Sequence, residues 1–113
     1  MKQVECIVVG GGLAGLSAAY GLAEAGLEVM VLERGDYAGA KNVTGGRLYV
    51  KPIRRLYPEL WDEAPFERPV ARELVTLIED GAHTTIEIAS DRFTGDQPQS
   101  YTVLRAKLDQ WLA

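Results

Sequence analysis

A chain of 113 residues, 47% hydrophobic and 25% charged, has the composition of one ordinary globular domain, and roughly two-thirds of its unfolded surface can be buried at that length. The net charge of −4 argues against a nucleic-acid binder, which carries a basic stripe. A single cysteine, Cys6, excludes an internal disulfide framework and any cysteine-ligated metal or iron–sulfur site within this stretch.

Val4 to Val9 is a nearly continuous apolar run with β-branched residues, which predicts a strand buried on both faces of a parallel sheet. Cys6 lies inside it as an inert, buried thiol, and a reducing compartment fits. The run is too short for a signal-peptide core or a membrane span, and no later stretch is long enough to cross a bilayer. Any membrane contact is therefore expected to be peripheral. Gly10, Gly11 and Gly12 end the strand. Leu13, Leu16, Tyr20, Ala23 and Leu27 then recur at intervals of three or four, one face of a helix, with Gly26 placed for a left-handed C-cap. Leu27 to Leu32 reads as a second apolar strand ending in Glu33-Arg34-Gly35. Strand, helix and strand make a βαβ unit with a right-handed crossover.

Beyond Gly39 the pattern loosens. Pro52 to Leu60 predicts a short helix opened by its proline, and "DEAPFERP" predicts irregular surface. Glu73–Glu79 and His83–Ala89 are candidate strands around Asp80-Gly81, a strong hairpin signal. "DRFTGDQPQ" is a polar loop, Ser100–Leu104 a short strand, and "RAKLDQWLA" an amphipathic helix packed through Leu104, Leu108 and Leu112. Trp61 and Trp111 read as packing residues. His83 sits in the hairpin, away from any expected chemistry. The pairs Asp62-Glu63 and Glu79-Asp80 read as solvated. Two parallel strands make no covered sheet, so the sequence is expected to be the N-terminal part of a longer α/β protein, ending within a crossover helix.

The chemistry lies in "VVGGGLAGLSAAYGLAEAGLEVMVLER". It holds G-x-G-x-x-G at Gly10, Gly12 and Gly15, after a strand, opening a helix, with the acid Glu33 roughly twenty residues on. Gly10 permits the tight turn, Gly12 lets backbone approach a pyrophosphate, and Gly15 lets helix and strand pack closely, as Ala19 does further along. The unpaired amides at Leu13 and Ala14 and the helix dipole offer positive charge to phosphates. Glu33 is placed to accept hydrogen bonds from the adenosine ribose, and its charge disfavours a 2′-phosphate. Arg34 lies either near the adenine or in solvent. The bland alternative is a glycine-rich turn that binds nothing. The fingerprint alone does not separate FAD from NAD.

The residues past Glu33 add to this. With the fingerprint near the start of the chain, "LERGDYAGAKNVTGGRLY", "YPELWDEAPFERPV" and "YTVLRAKLDQWLA" resemble the FixC family across essentially all 113 residues. That family is similar to electron-transfer flavoprotein–quinone oxidoreductases and, more distantly, to geranylgeranyl reductases, all glutathione-reductase-like flavoproteins. The resemblance implies a Rossmann-like βαβ FAD-binding unit with an appended β-hairpin, residues 1–113 being the N-terminal part of an FAD-binding domain. It implies an FAD-dependent oxidoreductase passing electrons from an electron-transfer-flavoprotein-type donor to a quinone, cytoplasmic or peripheral at the inner face of the membrane. It also places Lys41, Asn42, Val43, Thr44, Gly45 and Gly46 in a loop beside the flavin ring, and Arg105 facing the FAD pyrophosphate or ribose. Physically, small residues let backbone pass a flat ring, and donors near its pyrimidine end stabilise reduced flavin. An arginine at a helix start opposes the dipole unless an anion is near. The bland alternatives are a surface loop with a Gly45-Gly46 turn and a solvated Arg105. A geranylgeranyl reductase-like enzyme and a non-catalytic dinucleotide-binding module are the competing functions.

Overall fold

A computed structural model describes residues 3–113, the side chain of Trp61 excepted. Strands β1 (Cys6–Val9) and β2 (Val29–Leu32) pair in parallel, Cys6 opposite Val29 and Val9 opposite Leu32. Helix α1 (Leu13–Glu24) connects them and packs on both. It buries Leu16 and Ala19, the small residue expected at the sheet contact. The helix stops where the sequence places its cap. Gly26 takes φ +86° and its N–H donates to Ala23, while Leu27 N–H reaches back to Leu22, so the last carbonyls are satisfied.

The expectation that both strands are buried on both faces does not hold. Ile7, Val9, Met30 and Leu32, which share one face through the register, are all exposed, Val9 by 82%. The helix covers the opposite face only, and among the described residues no second layer lies on this one.

A second sheet has three antiparallel strands, β3 (Gly45–Tyr49), β4 (Phe66–Pro69) and, between them, β7 (Ser100–Leu104). Two corrections to the sequence reading arise here. Gly45 and Gly46, expected in the loop beside the flavin with a turn as the bland alternative, begin a strand opposite Leu104 and Val103. "DEAPFERP" is not all irregular: after a single 3-10 turn at Trp61–Glu63 it supplies β4, whose Phe66 ring stacks on Tyr101 with centroids 4.8 Å apart. Helix α2 (Val50–Leu56) begins two residues before the expected Pro52, because Val50 N–H continues the ladder to Gln99 O and the strand runs into the helix without a linker. Tyr57, just past α2, is buried. Its hydroxyl donates to Ser17 Oγ at 2.7 Å and its ring meets Tyr20 edge-on, joining α2 to α1.

Strands β5 (Arg72–Glu79) and β6 (Ala82–Ala89) form the expected hairpin, with Gly81 at φ +74° in its two-residue turn. At its base Glu73 pairs with Arg47 of β3, whose guanidinium lies over the Tyr49 ring at 4.3 Å. Phe93, in the loop read as polar, is buried. Helix α3 (Arg105–Leu112) follows β7 directly and reaches α1. Leu108 is its buried anchor, Leu112 and Trp111 are half-buried, and Leu104 is exposed, so the expected three-leucine seam is carried mainly by Leu108. No helix among the described residues is long and apolar enough to cross a membrane.

Candidate functional site

The turn from β1 into α1 is built so that it tolerates only glycine at two of its three fingerprint positions. Gly10 has φ +104°, in the left-handed region, and its N–H donates to Leu32 O at 2.7 Å, tying the turn to the end of β2. A Cβ on Gly15 would stand 2.0 Å from Gly10 O, so no side chain fits between helix and turn. Gly12 is different. It is the N-cap of α1, and a Cβ there would meet nothing within 4 Å. Among the described residues nothing requires a glycine at that point, but a ligand lying against the backbone would. Among the described residues no side chain caps the helix and no acidic residue stands in its first turn, so the amides at Leu13 and Ala14 are left for an outside acceptor.

Glu33, immediately after β2, closes the other side. Its Oε1 accepts from Gly35 N–H at 2.6 Å and its Oε2 from Gly11 N–H at 2.7 Å. Those backbone donors, Gly35 first and Gly11 second, hold the carboxyl below its ordinary pKa, and the Lys41 charge adds to the effect. Sequence spacing finds the acid but not these amide contacts. They use part of its acceptor capacity, since an ionised carboxylate offers about four lone-pair sites, and the remainder suits two ribose hydroxyls. Arg34 is exposed. The fit to an adenine dinucleotide is therefore good: an open backbone cradle for phosphates, a fixed anion for the ribose.

The segment after Glu33 passes the turn and seats on α3. Gly39 has φ +85°, and a Cβ there would stand 2.7 Å from Ala106 O, so the close approach of loop and helix needs glycine on both counts. Asn42 Nδ2 donates to Asp109 Oδ2, and Arg105 N–H donates to Thr44 O at 3.0 Å. Arg105 also grips Asp109 with two bonds, Nε to Oδ1 at 3.0 Å and Nη2 to Oδ2 at 3.1 Å. Asp109 is 0% exposed. Of the residues expected at the flavin, Lys41 lies on the Glu33 side, Asn42 and Thr44 on the α3 side, and Val43 projects into solvent at 99% exposure. Gly45 and Gly46 meet at most ordinary van der Waals contacts where a Cβ would stand, which leaves room along the start of β3.

Sequence reasoning misses Asp109 and Gly39. The first carried one usable signal, its i,i+4 spacing from Arg105. The second carried none, since its contact is with a helix far along the chain. A cleft of about 730 Å³ opens elsewhere, between α2 and the loop ending at Gln99, lined in part by Lys51, Arg54, Arg92 and Pro98. None of the fingerprint residues lines it.

Residues 5–111 match the family described as FAD dependent oxidoreductase. Among curated proteins the chain is similar to Protein FixC of Salmonella typhi, 45% identical over 108 residues, which is 96% of this chain and 25% of that protein. It is likewise similar to the probable electron transfer flavoprotein-quinone oxidoreductase YdiS of Escherichia coli (strain K12), 45% identical over 110 residues, 97% of this chain and 26% of that protein. Protein FixC of Rhizobium meliloti (strain 1021) is 38% identical over 112 residues. The chain spans about a quarter of the length of these relatives.

Proposed function

The chain belongs to the FAD-dependent oxidoreductase family, and from that premise we propose that it supplies the N-terminal FAD-binding part of an enzyme that passes electrons from an electron-transfer-flavoprotein-type donor to a quinone. In this reading β1, α1 and β2 open a Rossmann-like sheet, with the protein on the cytoplasmic side and peripheral to the membrane. The single observation that carries it is the open cradle at Gly12, beside the uncapped start of α1 and the amide-fixed Glu33. The electron donor and the quinone come from the name of the Escherichia coli relative.

Bound FAD would supply the redox chemistry. The residues of this chain bind and orient it. The amides at Leu13 and Ala14, with the helix dipole, hold the pyrophosphate. Glu33, as the carboxylate, would hold the adenosine ribose, and Arg34 would stand by the adenine end. The 41–46 segment would lie along the ring, Lys41 as a charged donor, Gly45 and Gly46 as backbone without side chains. Arg105 addresses the pyrophosphate or ribose.

The test is reduction of the purified full-length protein that carries this N-terminal segment by a reduced electron-transfer flavoprotein, with a water-soluble quinone as acceptor. The expected result is bound flavin that bleaches with the donor and recovers with the quinone. Flavin that is bound yet inert to both would remove the electron-transfer role while leaving the cofactor assignment standing.

A further inference from the structure

Asp109 is the most deeply buried charged side chain among the described residues, and the flavin reading gives it no task. Its two oxygens receive three hydrogen bonds, two from Arg105 and one from Asn42. All three donors come from residues expected at the cofactor. The carboxylate accepts only, so the Asn42 amide must turn its Nδ2 inward and its Oδ1 away from α3. On Arg105, Nε and Nη2 are taken, which leaves Nη1 for an outside anion. Two further contacts hold the same unit together: Gly39 against the Ala106 backbone and Arg105 N–H on Thr44 O.

We propose that Asp109 is a positioning residue for the flavin site, its buried carboxylate locking the Arg105 guanidinium and the Asn42 amide into one unit that meets the cofactor together. The proposal rests on the flavin reading above. It differs from simple charge balance, in which Asp109 would only neutralise Arg105. Removing a neutralising charge strengthens the pull of Arg105 on an anionic cofactor. Removing an orienting acceptor weakens binding, because Asn at 109 offers one acceptor oxygen to three donors and must turn its own N–H₂ towards at least one of them.

The experiment compares the full chain with Asp109→Asn, Asn42→Ala and the double variant, titrated with FAD by quenching of flavin fluorescence. The visible absorption of the bound flavin and the melting temperature of the apoprotein are recorded beside it. Each single variant should weaken FAD binding about tenfold and shift the flavin absorption bands. The double should be no weaker than the worse single, because both break one unit. Asn42→Ala carries the same expectations where Asp109→Asn does not fold, since it leaves the buried carboxylate paired with Arg105. Wild-type affinity and an unshifted spectrum in the variants, tighter binding by Asp109→Asn, or additive losses in the double would overturn the positioning role while FAD still binds. An unsubstituted chain that takes up no FAD overturns both this role and the flavin reading.

Discussion

Glu33 is where charge and backbone meet most closely. Its carboxyl pKa is lowered by the Gly35 and Gly11 amides, so the sign of its contribution to stability is fixed. The contribution is present in full above the ordinary value of 4.5 and is lost as the pH falls through the lowered folded value. Melting of wild type and Glu33→Gln across that range should show a gap that closes on the acid side; a gap independent of pH would mean the amide contacts are not made by the ionised group. Gly15→Ala is predicted to destabilise by about 3 kcal/mol or more, since the new methyl would overlap Gly10 O and the turn has nowhere to move without breaking its bond to β2. Thermal melting of the apoprotein reads this directly. Both glycine and acid are legible in the sequence because the fingerprint fixes their spacing. Asp109 is not, because a carboxylate in an amphipathic helix looks solvated until the loop that covers it is in place.

At the level of elements, legibility follows locality. The β5–β6 hairpin announces itself through Asp80-Gly81 and its flanking β-branched residues, and the C-cap at Gly26 through the end of the helical period. Strand β7 is short but rich in β-branched and aromatic residues and follows a polar loop. By contrast β3 begins with two glycines and β4 ends in a proline, residues with poor strand propensity. Both are strands because β7 pairs with them across fifty or thirty-odd positions, information no local window contains. The hairpin, legible as it is, is weakly supported: every residue of β6 and nearly every one of β5 is exposed. A two-stranded ribbon is marginal by itself in water. Hydrogen exchange should therefore open β5 and β6 before the β3–β7–β4 sheet, and the reverse order would contradict this division of stability.

The whole molecule is elongated, 65 × 36 × 18 Å, with a radius of gyration of 17.9 Å, where a compact chain of this length has about 13 Å. The excess fits a projecting β5–β6 hairpin, nearly all of whose residues are exposed. Small-angle scattering of the 113-residue chain should return the larger radius, and a value near the compact one would show that the hairpin folds back. Within this open shape the Gly10–Gly15 turn is tied to Glu33 and to the end of β2, and the segment that follows is tied through Gly39 and Asn42 to α3. The measurement that tests the cofactor cradle most directly is FAD affinity of Gly12→Ala set against the melting temperature of its apoprotein. Because an added Cβ at Gly12 meets nothing within 4 Å, the melting temperature should fall only as far as the roughly 1 kcal/mol or less that alanine costs in place of glycine at an N-cap, while FAD binding weakens about tenfold or more. Unchanged FAD affinity, or a loss of apoprotein stability that accounts for the weaker binding, would contradict the assignment of that space to the cofactor.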